Sequence, residues 1–143
     1  MAIESFQGDY RWLSNFWPAD VEYEGLSYPT VEHAYQAAKF AAESGLRQEI
    51  RGHPSPGRAK RTARSFADMI LPDFNDRKVN VMEGLLRQKF ALPHLRGLLE
   101  ATGGEQIVEG NTWGDVFWGV CKGKGQNRLG QLLMKIREEI RNA

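Results

Sequence analysis

The chain has 143 residues, enough for one domain with its own core, and its 41% hydrophobic and 26% charged content is that of an ordinary soluble globular protein. A net charge of +1 argues against a protein held to nucleic acid by bulk electrostatics. The single cysteine, Cys121, excludes an intrachain disulfide and a cysteine-rich zinc site, and its apolar neighbours (Val116 to Val120) suggest a buried, inert thiol.

No apolar run approaches the roughly 18 residues a membrane span needs. The opening residues show neither a basic region nor a signal-like core. The expectation is one domain over residues 1–143, cytoplasmic and off the membrane.

In chain order, Ile3 to Phe6 reads as a short strand. Val21-Glu22-Tyr23 and Leu26-Ser27-Tyr28 flank Glu24-Gly25, a tight hairpin whose buried face would be Val21, Tyr23, Leu26 and Tyr28. Thr30 can cap a helix that nothing breaks before Ser44-Gly45. Ser55-Pro56 opens a basic helix through Ala63 or Arg64. A longer helix from about Asp76 to Ala91 would bury Val79, Met82, Leu86 and Phe90. Pro93 starts another, which stops before Gly103-Gly104. Residues 106–108 and 116–120 are strand candidates, and an amphipathic helix from about Asn127 closes the chain on Leu129, Leu133, Ile136 and Ile140. Helices outnumber strands without alternating with them, so the fold class is α+β, mostly helical, with a few short strands and a hairpin.

Chemistry concentrates in four places. On the helix after Thr30, Glu32, Gln36 and Lys39 share a stripe, beside an apolar stripe of Val31, Ala34, Tyr35 and Ala38. On spacing alone this is a solvated face. Trp12 to Trp17 packs two tryptophans, Phe16 and Asn15 into six residues, either a wall for a planar ring or an aromatic core corner. Residues 47–64 carry six cations against Glu49. There Arg58 and Lys60, near a helix start, suit a phosphate, while the rest of the run is solvated. Gly110 to Asp115, followed by Trp118-Gly119, reads as a loop in which Asp115 either gains leverage among Trp113 and Trp118 or caps a turn. His33, His53 and His94 do not have metal-ligand spacing, so neither metal nor cofactor is expected.

Together these segments resemble the NADAR (YbiA-like) family. The matching blocks are Leu13 to Phe16, Glu32 to Phe40, the Gly57-Arg58 region, Gly110 to Asp115 with Trp118-Gly119, and Gly125 to Gly130, in the family's order and across nearly the whole chain. The resemblance implies an N-glycosidase acting on a ribose-linked amine. Two activities are associated with such proteins: removal of ADP-ribose from the exocyclic amine of guanine in nucleic acid, ranked first here, and hydrolysis of ribosylamino-pyrimidine phosphate intermediates of riboflavin biosynthesis. The partner is accordingly ADP-ribosylated guanine in nucleic acid or a ribosylamine phosphate.

The residues suit that chemistry. Glu32, Lys39 and Asp115, expected in one pocket, would supply carboxylates for an oxocarbenium route and an amine for capture of ring-opened ribose. Phe16, Trp17, Trp113 and Trp118 would stack on a base, with Asn15, Gln36 and Asn127 completing the binding set and Arg58 or Lys60 holding phosphate. A non-catalytic module for ADP-ribose or NAD is the alternative of a different class.

Overall fold

The computed structural model describes residues 2–143. Its elements follow in the order β1 (Ala2–Ile3), a 3-10 helix (Gly8–Leu13), β2 (Pro18–Tyr23), β3 (Leu26–Thr30), α1 (Val31–Ala37), α2 (Leu46–Arg51), α3 (Pro56–Ser65), α4 (Phe74–Lys89), α5 (Pro93–Ala101), β4 (Gln106–Ile107), β5 (Gly110–Asn111), β6 (Val120–Cys121) and α6 (Arg128–Arg141). Helices hold about half of the chain, and the strands are short, as the α+β expectation requires. No helix among the described residues is long and apolar enough to cross a membrane.

The described residues divide into two compact units. One is continuous, Asn15–Lys89, and is called central for its place in the sequence. The other, called terminal, combines the residues up to Ser14 with Phe90–Ala143.

In the central unit β2 and β3 pair as the expected hairpin, with Val21 opposite Tyr28 and Tyr23 opposite Leu26. Glu24 and Gly25 both take positive φ, the turn that matches strand twist. Val21 and Tyr28 are buried, while Tyr23 and Leu26 are only half-buried. The Gln88 side-chain amide accepts from the Glu22 N–H at 2.7 Å and donates to the Glu22 carbonyl at 2.8 Å, tying β2 to α4.

Helix α1 is short and wholly buried, surrounded by β2, β3, α2, α3 and α4. Small residues permit this: Ala34 and Ala37 on α1, Ala38 at its C-cap, and Ala59 and Ala63 on α3 let backbones approach. The sequence suggested a helix running on towards Ser44, but α1 ends at Ala37. The Lys39 and Phe40 N–H groups turn back three residues to the Gln36 and Ala37 carbonyls, and the Lys39 carbonyl accepts from Leu71 N–H at 2.8 Å. A tertiary partner thus takes a carbonyl that a continuing helix would have used. Helix α2 has no counterpart in the sequence reading. Its Arg47, expected on a solvated face, is buried. Its guanidinium donates to the Phe40 carbonyl and to Glu24, over the Tyr23 ring.

In the terminal unit β1 pairs in parallel with β4, and β5 with β6. Trp12 is core, edge-on to Phe90 at 6.2 Å. Of residues 116–120, expected as strand, only Val120 is in one; Val116 is irregular and 117–119 are bends, because Asp115 Oδ1 accepts from the Phe117 and Trp118 N–H groups. Cys121 lies in β6, half-buried rather than fully enclosed. Helix α6 buries Leu129, Leu133 and Ile136, while Ile140 is half-buried.

Two stability predictions follow from this packing. A Cβ added at Gly130 would sit 2.1 Å from the Ile107 carbonyl oxygen, whereas one at Gly97 of α5 meets nothing within 4 Å. Gly130→Ala is expected to lose roughly 1–3 kcal/mol to overpacking, and Gly97→Ala to gain roughly 0.5–1 kcal/mol from helix propensity, measured by chemical denaturation.

The second concerns Lys89, which is 0% exposed and whose ammonium burial lowers to a pKa of about 7. Between about pH 7 and the ordinary lysine value the unfolded chain binds a proton that the native state lacks, so stability should rise with pH across that window. Below about pH 7 Lys89 is protonated in both states, and the pH dependence from this group levels off. The rise should be roughly 3–6 kcal/mol at about 1.4 kcal/mol per pKa unit. Denaturation midpoints between pH 6.5 and 9.5 should climb, and Lys89→Met should flatten the climb.

Candidate functional site

The site grows from the two ends of α1. Thr30 caps the helix by accepting from the His33 N–H at 3.0 Å, and the Glu32 N–H donates to the Asn15 carbonyl at 3.1 Å. His33 is locked in place: Nε2 donates to the His53 carbonyl at 3.0 Å, which leaves Nδ1 to accept from the Thr30 hydroxyl at 2.8 Å. Burial lowers the proton affinity of His33, which keeps it in this neutral tautomer. The histidine is therefore a brace for the helix start.

Glu32 and Gln36, expected on a solvated face if spacing alone decides, are only 8% and 4% exposed. The Gln36 amide donates from Nε2 to Glu32 Oε2 at 2.5 Å. A carboxylate in the first turn also meets the positive end of the helix dipole. Two acceptor atoms in this region, Gln36 Oε1 and Asn15 Oδ1, are buried with no hydrogen-bond partner among the described residues. The Asn15 amide nitrogen faces the Met82 sulfur at 3.5 Å. Unsatisfied buried acceptors are costly and are uncommon away from functional sites.

Lys39 lies just past α1, half-buried, with its amine 5.4 Å from the centre of the Tyr35 ring. Burial lowers its proton affinity most. Glu32 pushes it back up, and Lys60, Lys78 and Arg64 push it further down. Glu32, Gln36, Lys39, Asn15 and Lys60 are thus gathered around α1. Arg58 is exposed in the first turn of α3, where its N–H donates to the capping Ser55 hydroxyl, and it is not among the cations acting on Lys39. Phe16, 44% exposed, and Trp17, half-buried, lie between Asn15 and β2.

Arg64 and Lys78 were not singled out in the sequence. Arg64 follows Lys60 by one turn, a signal that was present. Lys78 gives no local signal, because only the packing of α4 on α1 brings it near.

The remaining expected residues belong to the terminal unit. Asp115 is committed to its loop through Phe117 and Trp118, as the turn-capping alternative described. The Asn111 amide clasps the same loop, donating to the Asp115 carbonyl and to Glu109 Oε2 at 2.9 Å each and accepting from the Asp115 N–H at 3.1 Å. This clasp presents Trp113 at 59% exposure. Trp118 is half-buried, edge-on to Phe117. Asn127 spends its amide on the backbone, accepting from Glu109 N–H and donating to the Ile107 carbonyl, each at 2.9 Å. It fixes the start of α6.

With this geometry in view, comparison with known proteins is informative. The NADAR domain family model matches residues 4–141, which run through both units. N-glycosidase YbiA of Escherichia coli (strain K12) is 42% identical over 140 residues, covering 95% of this chain and 85% of that protein. Riboflavin biosynthesis protein PYRR, chloroplastic, of Zea mays is 36% identical over 144 residues, covering 90% of this chain and 23% of that protein. The NMR structure of E. coli YbiA superposes with a TM-score of 0.84 at 38% identity, covering 99% of this chain and 84% of that one. A match of this extent in sequence and in fold establishes that the chain belongs to the NADAR family.

Proposed function

We propose that this protein hydrolyses the bond between ribose C1 and an exocyclic amine, with ADP-ribosylated guanine in nucleic acid as its foremost substrate. The enzyme is a hydrolase of N-glycosyl compounds, in keeping with relatives named N-glycosidases. The observation that carries the reading is the desolvated Glu32–Gln36 pair next to an amine whose proton affinity is depressed. The name of the maize relative favours a second substrate, a ribosylamino-pyrimidine phosphate of riboflavin biosynthesis.

The residues suggest a division of labour. The C1–ring oxygen bond of the N-riboside opens, the ring oxygen gaining a proton and C1 becoming an imine of the departing amine. Neutral Lys39 attacks C1. The amine then leaves with a proton, and C1 remains as an imine on Nζ. Water adds to this second imine, the C1–Nζ bond breaks, and the released aldehyde recloses to ribose. Glu32 is the group that moves protons in these steps, held in orientation by Gln36. Gln36 Oε1 and Asn15 Oδ1 accept from hydroxyls of the sugar. A lysine desolvated and set among other cations has the neutral fraction that this role needs. Asp115 acts as the brace of the Trp113 loop, and Asn127 as the anchor of α6.

Two experiments decide between turnover and mere binding. Glu32→Gln should keep the fold and reduce kcat by roughly 100-fold to 10,000-fold, the usual range for a positioned proton-transfer group. Incubation of the parent with ADP-ribosylated guanine DNA, and separately with the pyrimidine ribosylamine phosphate, should release free base and sugar as resolved by mass. Recovery of both compounds intact would make the protein a binding module.

For Lys39, borohydride added during turnover should trap a covalent sugar adduct that Lys39→Ala abolishes. The rate should also rise with pH along a limb below the ordinary lysine range, because burial lowers the amine's proton affinity. Full activity in Lys39→Ala without an adduct would leave the oxocarbenium route at Glu32.

A further inference from the structure

Two amide oxygens of the central unit, Gln36 Oε1 and Asn15 Oδ1, are buried acceptors to which no described residue donates. Both residues are more than nine-tenths enclosed, at 4% and 9% exposure. Neither amide is free to turn over. Gln36 Nε2 donates to Glu32 Oε2 at 2.5 Å, and reversal would set an oxygen against the carboxylate. Asn15 Nδ2 faces the Met82 sulfur at 3.5 Å, and reversal would again oppose two acceptors. The nitrogen of each amide thus fixes its oxygen as an acceptor, to be matched by a donor brought from outside.

Both oxygens adjoin Glu32. The Gln36 oxygen belongs to the same planar amide as the nitrogen bonded to the carboxylate. Asn15 is held to the first turn of α1, where its carbonyl accepts from the Glu32 N–H at 3.1 Å. We infer that Gln36 Oε1 accepts from the 2-hydroxyl, and Asn15 Oδ1 from the 3-hydroxyl, of the sugar whose C1 is worked on at Glu32, so that the enzyme cleaves ribosides and rejects deoxyribosides. This specificity rests on the N-glycosidase reading. Gln36 takes the 2-hydroxyl because it is bonded to the group that moves protons at C1, one carbon away.

A deoxy sugar would leave one of these acceptors buried against a C–H. Sites built to bond a hydroxyl reject the analogue lacking it far more strongly than an apolar pocket rejects a missing methylene. Bond reactivity cannot supply the selection. The 2-hydroxyl withdraws electrons from C1, so its loss makes a deoxyriboside the more labile compound. The proposed substrate makes selection necessary. A DNA guanine carrying ADP-ribose has two N-glycosidic bonds, from ribose C1 to the exocyclic amine and from deoxyribose C1 to a ring nitrogen. The deoxyribose of the DNA strand offers neither donor: it has no 2-hydroxyl, and its 3-oxygen is esterified. Two fixed acceptors that require a free vicinal diol therefore spare the bond whose loss would leave an abasic site.

Calorimetry of the parent with ribose 5-phosphate and its 2-deoxy and 3-deoxy analogues reads the preference without turnover or substitution. All three carry the same phosphate, and each missing hydroxyl should weaken binding by on the order of tenfold to a hundredfold. Unmodified DNA should acquire no abasic sites. Asn15→Leu and Gln36→Met keep the size of the side chain and remove its acceptor. Rates on guanine DNA bearing ADP-ribose, or its 2-deoxy or 3-deoxy counterpart, then give ratios of kcat/KM in which the intrinsic lability of each sugar cancels between parent and variant. Gln36→Met should lower the preference for ribose over the 2-deoxy sugar by on the order of tenfold to a hundredfold and spare that over the 3-deoxy sugar, and Asn15→Leu should do the reverse. A merely structural role, or the hold of Gln36 on Glu32, would slow all three substrates alike.

Equal affinity for the three sugars, abasic sites in unmodified DNA, parental ratios in folded variants, or the opposite pairing of variants with hydroxyls would overturn the inference. If no N-riboside is hydrolysed, tighter binding of ribose 5-phosphate than of its deoxy analogues would keep the hydroxyl contacts and reject the N-glycosidase reading. Equal or absent binding in that case would reject both.

Discussion

The contact between the Gln36 amide and the Glu32 carboxylate is the constraint on which the central unit depends. It places a charge on a helix that is buried along its whole length. Removing a carboxylate from water costs several kcal/mol even after relaxation. The compensation includes an amide donor, the dipole of a two-turn helix and the charge of Lys39. A helix chosen only for stability would carry an apolar side chain at residue 32. Retaining the carboxylate, and leaving acceptors on Gln36 and Asn15 unsatisfied beside it, is intelligible as the cost of a pre-organised site.

The surrounding elements are built to hold that short helix still. At its start, Thr30, His33 and the His53 carbonyl close a chain of hydrogen bonds, and His53 Nε2 meets the Thr62 hydroxyl of α3 at 2.7 Å. Past its end, Arg47 donates to the Phe40 carbonyl while reaching Glu24 in the hairpin turn. Both networks are polar, buried or half-buried except at the exposed Glu24, and each includes a hydrogen bond to a backbone carbonyl. Charged and polar side chains here fix position, and alanines supply the close packing that apolar bulk would prevent.

Local signals in the sequence were reliable where the physics is local. Glu24-Gly25 specified the hairpin turn, Thr30 and Ser55 the helix starts, and Pro93 with Gly103-Gly104 the limits of α5. The failures have a common cause in distant partners. Ala38 and Lys39 are good helix formers, and only the Leu71 N–H, more than thirty positions away, accounts for the early end of α1. Arg47 looked solvated because Phe40, Glu24 and Tyr23 come together only in the fold. The run from Val116 to Val120 has strand composition, but the Asp115 carboxylate offers its backbone a different set of hydrogen bonds. The same distinction holds for the site. The Glu32 stripe was legible as spacing, while its burial and the approach of Lys78 were not.

Proton affinity at Lys39 depends on several elements of the central unit at once. Burial depresses it most, Glu32 of α1 opposes that effect, and Lys60 and Arg64 of α3 with Lys78 of α4 depress it further. The amine therefore reports on the packing of α3 and α4 against the turn after α1: moving either helix away would take cations with it and return proton affinity to the lysine, whereas loss of the Glu32 charge would lower it. Burial of Glu32 on α1 strengthens this coupling, because charges interact more strongly where water is excluded.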